Sequence, residues 1–189
     1  MKNSKFELLI EQLEQIPSIG KKSALKIAYS LAIENKVLAL NIAHCIEDAV
    51  NCVQKCEICG GISESRICNI CEDESRLFSG MLCIVGSPKD ILTIEDAHIF
   101  EGVYLVVDGT QNIDFKDIIA NINLYNIKEI IFAFTPTLAS DAMILYIEDK
   151  LKDLNLRFSK IAQGVPTGVG LDNIDKLSLT RALESRIRI

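Results

Sequence analysis

Apolar positions along the chain change period twice. Phe6–Gln15 places Phe6, Leu9, Ile10 and Leu13 at i, i+3, i+4 and i+7, with Glu7, Glu11 and Glu14 elsewhere on the cylinder, which predicts an amphipathic helix. Pro17 breaks the pattern and Gly20 marks a turn. Helical spacing resumes over Ser23–Glu34 through Ala24, Ile27, Ala28 and Leu31, and a third amphipathic stretch covers Val37–Val53. From Met81 the pattern becomes short apolar runs alternating with helical segments. Strands are predicted at Met81–Val85, Val103–Val107, Glu129–Phe134 and Arg157–Ile161; helices at Pro88–Asp96, Phe115–Tyr125 and Ser140–Leu151 lie between them. That alternation predicts an α/β region with a mainly parallel sheet flanked by helices. Leu179–Ile189 reads as a short C-terminal helix. The segment between the two patterns, Gln54–Arg76, is polar and has too few apolar residues to fold by burial alone. Four regions follow: 1–53, 54–76, 77–162 and 163–189.

With 189 residues and 49% hydrophobic content the chain can bury a sizeable core, so wholesale disorder is excluded. Its apolar runs, such as Met81–Val85 and Ile130–Phe134, are far shorter than the roughly 18–20 residues a membrane helix needs. Met1–Glu14 lacks the uncharged stretch of a signal peptide, so the expected compartment is the cytoplasm, without membrane partners. The net charge of −6 is uneven: residues 1–55 carry 7 basic and 6 acidic side chains, leaving 13 and 20 for residues 56–189. Gln15–Leu31 holds Lys21, Lys22 and Lys26 and no acid, so nucleic-acid contact is expected there and nowhere else.

Seven cysteines in a reducing compartment need another explanation than disulfides. Cys56, Cys59, Cys68 and Cys71 form C-x2-C-x8-C-x2-C, the spacing of two thiolate pairs that close a tetrahedron around one Zn2+. Four sulfur ligands leave no open position, which makes the site structural, and an iron–sulfur cluster is the alternative for the same ligands. Cys45, Cys52 and Cys83 sit among apolar neighbours and are expected to be small buried hydrophobes.

Ile16-Pro17-Ser18-Ile19-Gly20-Lys21-Lys22-Ser23-Ala24 is a basic turn running into a helix start. Local chemistry leaves two readings open: a solvated helix start, or a hairpin whose backbone N–H groups and lysines hold phosphate. The pattern resembles the helix-hairpin-helix of DNA-repair proteins, usually written L-P-G-I-G-x-x-x-A, with Ser18 in place of the first glycine. The hairpin backbone is therefore expected to be slightly altered.

The order of parts resembles the RecR family of bacterial recombination mediators. Besides the hairpin and the cysteines, the resemblance rests on Leu82–Ile91, Phe134–Thr137, Ala142–Ile147, Gly164–Gly168 and Thr180–Arg186, and it covers nearly the whole chain. It implies a Toprim domain after the four-cysteine zinc finger, and a non-enzymatic DNA-binding role in recombinational repair. It also implies ring-like homo-oligomers, dimers or tetramers, built through the hairpin region and C-terminal contacts. RecO, and RecF where present, would be partners in helping load RecA on single strands coated with single-strand-binding protein.

Catalytic Toprim proteins hold Mg2+ on clustered acids. Here Gly86-Ser87 ends the first strand, Asp108 stands alone after Val107, and Ala139 replaces a frequent Glu, leaving Asp141 nearby. A Mg2+-dependent nuclease or primase-like reading thus lacks its carboxylates. A zinc-containing transcription regulator would need a base-reading element. Asp141, Glu148 and Asp149 form an acidic surface suited to a basic partner, with Asp141 the expected contact, or else a solvated helix face. Gly164–Gly170 lacks the G-K-[ST] ending of a phosphate loop and reads as a turn.

Overall fold

The structure, a computed structural model, describes residues 4–108, 113–162, 164–165 and 168–184, without the side chains of Leu177 and Glu184. The chain divides into two compact units, Met1–Val53 and Gln54–Ile189.

The first unit is helical. Helix α1 (Lys5–Glu14) starts in a capping box: Glu7 N–H donates to Ser4 Oγ at 3.2 Å, and Ser4 N–H donates to Glu7 Oε2 at 2.7 Å. Its predicted stripe of Phe6, Leu9, Ile10 and Leu13 is half-buried. Helix α2 (Lys21–Tyr29) buries Ala24 and Ala28 completely, so the α1–α2 hairpin closes tightly around two methyl groups. The single helix expected over Ser23–Glu34 is divided instead. After Tyr29 the chain widens into a π-helical turn, Ser30–Glu34, closed by Asn35 N–H donating to Ser30 O at 2.8 Å. Asn35 then caps α3 (Lys36–Cys52) by accepting from Leu38 N–H.

No residue of α3 is buried. Cys45 and Cys52, expected in a core, are exposed. The cause is geometric: α3 carries apolar residues around much of its circumference, and the small α1–α2 hairpin offers too little surface to cover them. Val37, Leu40, Ile46 and Val50 are each more than half exposed.

The second unit begins with a two-strand ribbon, β1 (Gln54–Lys55) antiparallel to β2 (Ile62–Ser63), and two single-turn helices, α4 (Asn69–Glu72) and α5 (Glu74–Leu77). Then follow β3 (Met81–Val85), α6 (Pro88–Asp96), β4 (Val103–Val106), α7 (Phe115–Leu124), β5 (Glu129–Ala133), α8 (Leu138–Leu151) and β6 (Arg157–Lys160). The four long strands form one parallel sheet in the order β4-β3-β5-β6. A 3-10 turn at Leu171–Asn173 precedes α9 (Lys176–Glu184), which starts three residues before the expected tail helix. Residues 185–189 of that expectation, and 163, 166 and 167 around the Gly164–Gly168 turn, lie outside the described residues.

A parallel sheet must be covered on both faces, and strand alternation sorts the side chains accordingly. Leu82 and Ile84 of β3, Val103 of β4, and Ile130 and Phe132 of β5 face α7 and α8, meeting Ile118, Ile122, Ile147 and Leu151 in one core. Cys83 and Val85 of β3, Tyr104 of β4 and Ala133 of β5 face the other way. There they meet Ile91 and Ile94 of α6, and the four cysteines of the expected zinc finger. Two helices cover one face; one helix and the cysteine segment cover the other. Cys83, as expected, is buried.

Candidate metal centre and basic hairpin

The four cysteines converge. Cys56 lies at the end of β1 and Cys59 in the turn between β1 and β2, where Gly60 takes a φ of +73°, a conformation glycine adopts without steric cost. Gly60 N–H donates to Cys56 O at 2.9 Å and Gly61 N–H to Cys59 Sγ at 3.3 Å. The second pair repeats the device: Cys68 caps α4, Cys71 N–H donates to Cys68 O at 2.9 Å, and Cys68 N–H reaches Cys56 Sγ at 3.3 Å. Each turn thus aims two sulfurs inward and supplies N–H donors to stabilise negative sulfur.

The four Sγ atoms all lie within 4.8 Å of one another, and Cys59 and Cys68 are 3.7 Å apart. A tetrahedron with Zn–S bonds of about 2.3 Å has sulfur edges of about 3.8 Å, so the set fits one zinc ion. A cluster of several irons would need its ligands spread wider. All four side chains are buried. Cys59 is lowered to about 5, chiefly by the hydrogen bond with Cys71, while the same pairing and burial raise Cys71. Burial raises Cys68. A divalent cation supplies what four crowded thiolates need, and binding it would fold a segment that has no core of its own.

The cysteine segment is fastened to β4 and to α6. Val106 N–H, on the side of β4 facing away from β3, donates to Cys59 O at 2.8 Å, while the next amide, Val107 N–H, donates to Val85 O at 2.8 Å. Gly60 sits so close to Val106 that a Cβ there would lie 3.2 Å from Val106 Cβ, and one on Gly61 would lie 3.1 Å from Ile91 Cδ1. At the far end Arg76 of α5 makes a two-pronged pair with Glu95 of α6, at 2.9 and 2.8 Å. Tyr104 Oη donates to the same carboxylate at 2.6 Å, and Arg76 also reaches Gly102 O. Burial disfavours the Glu95 carboxylate, but hydrogen bonds from Arg76 and Tyr104 outweigh it and hold the group below its ordinary range. Sequence reasoning missed this pair, since nothing in the pattern marks Arg76 as different from other surface arginines.

In the first unit the turn between α1 and α2 keeps its left-handed residue without a glycine: Ser18 has a φ of +70°. The serine is accommodated rather than avoided, so the expected alteration of the backbone becomes local strain. Gly20 is the N-cap of α2 with no side-chain cap, and Ala24 N–H donates to Gly20 O at 2.9 Å. Lys21, Lys22 and Lys26 are all exposed on the first turns of α2, which carry no acidic residue.

At the C-terminal ends of β3 and β5, a cavity of about 470 Å³ is lined by Gly86, Ser87, Asp90, Thr137, Ala139 and Ser140 among others. Asp90 is engaged in capping α6, accepting from Ser87 N–H at 2.8 Å, and Thr137 and Ser140 cap α8 in the same way. Among the described residues, only the four cysteines bring three or more metal-capable side chains within ligand distance. Asp141 is turned to the β6 side, 3.9 Å from Lys160 Nζ, and shares a groove with Glu148; Asp149 pairs with Lys152 at 2.9 Å. No helix among the described residues is long and apolar enough to cross a membrane.

A parallel sheet sharing one core with a four-sulfur knuckle, in a chain opening with a helical hairpin, defines a Toprim protein with a zinc finger and a helix-hairpin-helix. Residues 6–50 match the family description "RecR, helix-hairpin-helix", residues 53–73 match the RecR zinc finger domain of four cysteines, and residues 80–162 match "Toprim domain". The chain is 51% identical over 183 residues to "Recombination protein RecR" of Helicobacter pylori strain Shi470, covering 97% of this chain and 94% of that one. It is 46% identical over 185 residues to the protein of the same description from Campylobacter jejuni subsp. jejuni strain 81-176, covering 98% and 97%. The chain belongs to the RecR family.

Proposed function

We propose that this RecR-family protein is a non-enzymatic, DNA-binding mediator of recombinational repair. It forms a ring-like homo-oligomer and acts in the cytoplasm with RecO, and with RecF where present, to help load RecA on single-stranded DNA coated with single-strand-binding protein. The observation that carries this reading is the hairpin: an uncapped N-terminus of α2 beside three exposed lysines with no acid between them. Such a site holds backbone phosphate on single or double strands and reads no sequence. One patch on an acidic protomer binds weakly, and several patches facing one opening bind by effective concentration. The exposed apolar surface of α3 supports assembly through the hairpin region, because 17 residues of mostly uncovered helix favour burial against another copy. Asp141 and Glu148 supply acidic character for a basic partner such as RecO.

The test replaces Lys21, Lys22 and Lys26 by Glu and measures DNA affinity against salt, with zinc content and mass verified. The variant is expected to lose DNA binding while keeping RecO. Neutral replacement by Gln should lower the slope of log affinity against log salt by about 2 on single strands, at roughly 0.7 per phosphate contact. Undiminished DNA binding by the folded Glu variant would refute the hairpin as the DNA surface.

A further inference from the structure

We infer that the zinc knuckle is a detachable cap on the edge strand of the Toprim sheet, seated only while metal is bound. The two faces of the sheet are held by different means. The α7–α8 face is closed by continuous apolar packing around Ile84, Ile130, Phe132 and Ile147, and includes none of the four clustered cysteines. The opposite face is completed by the cysteines themselves, packed on Val85 and Tyr104. The knuckle has no separate core, so its shape depends on the ion and its apolar flank belongs to the sheet.

At the edge the division runs between adjacent amides. Val107 N–H points into the sheet to Val85 O, whereas Val106 N–H points out to Cys59 O, a carbonyl inside the metal-binding turn. With metal, that turn covers β4 and hides an outward-facing strand edge. When the metal leaves, the turn relaxes and the Val106 amide loses its acceptor, while β3–β4 pairing and the α7–α8 face persist. An edge bared in this way exposes an unpaired backbone amide to water. Zinc occupancy therefore decides whether the edge of this sheet is closed or available.

The test follows residue-resolved amide hydrogen exchange in the full-length reduced protein: zinc-loaded, stripped with EDTA, and reloaded with zinc. The expected result is about tenfold or faster exchange at Val106 after stripping, with Val107 changing less than about twofold, reversed on reloading. If both amides accelerate together, zinc holds the whole domain and no separate cap exists. If neither changes, the cap does not depend on metal. Either result overturns the inference. A second variant, Gly60→Ala, pushes a Cβ against Val106 at a φ of +73° without altering any of the four cysteines. It should accelerate Val106 exchange in the zinc-loaded protein, and unchanged exchange there would equally overturn the inference.

Discussion

Replacing Arg76 by Ala removes the link between the zinc segment and the Toprim sheet at its second end. Two charge-assisted hydrogen bonds join Arg76 to Glu95, at 2.9 and 2.8 Å. Each such bond contributes about 1.5–3 kcal/mol when shielded from water. About a fifth of the Arg76 side chain and a quarter of the Glu95 side chain still meet solvent, which cuts the pair well below the shielded sum. A loss of roughly 2 kcal/mol is expected, or about 4–8 °C in Tm for a unit of this size. Arg76→Lys keeps the charge but not the planar fork and should recover less than half. The pH dependence has a definite sign. Glu95 is depressed in the folded protein, so the pair's contribution is complete above the unfolded value of about 4.3 and is lost as pH falls through the lower folded value. Urea unfolding at pH 7 measures the energy, and carboxyl NMR titration of Glu95 measures the cause. In Arg76→Ala the Glu95 carboxyl should titrate higher, since burial remains and the hydrogen bonds and charge of Arg76 no longer oppose it, leaving Tyr104 and nearby His98 to do so. A stability change below about 0.5 kcal/mol, or a Glu95 titration that does not rise, would refute the reasoning.

Two further substitutions test other parts of the fold. Ser18→Gly relieves a left-handed serine and should stabilise the hairpin by about 0.5–1 kcal/mol in denaturant unfolding, with DNA affinity unchanged. Ile84→Ala, at a fully buried position on the central strand, should cost about 2–5 kcal/mol; Ile99→Ala, at a largely exposed one, should cost less than about 0.5 kcal/mol.

Much of the architecture is legible in the residues. All four sheet strands begin where the sequence predicts them, at Met81, Val103, Glu129 and Arg157, because short segments set between helical patterns have few other solutions. The cysteine spacing predicts the convergence of four sulfurs, since two-residue spacers fix the turn geometry. Helix α8 starts at Leu138, two residues before its apolar pattern suggests, because Thr137 and Ser140 cap each other without the Glu or Gln of the usual signature. Cys45 and Cys52 mislead because periodicity describes which face is apolar and says nothing about what is available to cover it. Strand order, with β3 between β4 and β5, and the seating of the knuckle depend on backbone groups meeting across long separations. Cys59 O and Val106 N–H leave no mark in side-chain composition.

The position of the knuckle in the chain sets an order on synthesis. All four cysteines emerge from the ribosome before any strand of the sheet they cover, and Val106 follows Cys71 by 35 residues. At about 5–20 residues per second, a metal-loaded knuckle waits roughly 2–7 s before β4 exists to receive it. The zinc turn is then the first structured piece of the second unit, and its apolar flank is a template on which β3 and β4 can assemble. Metal bound during translation would have the knuckle shaped before β4 arrives to meet it.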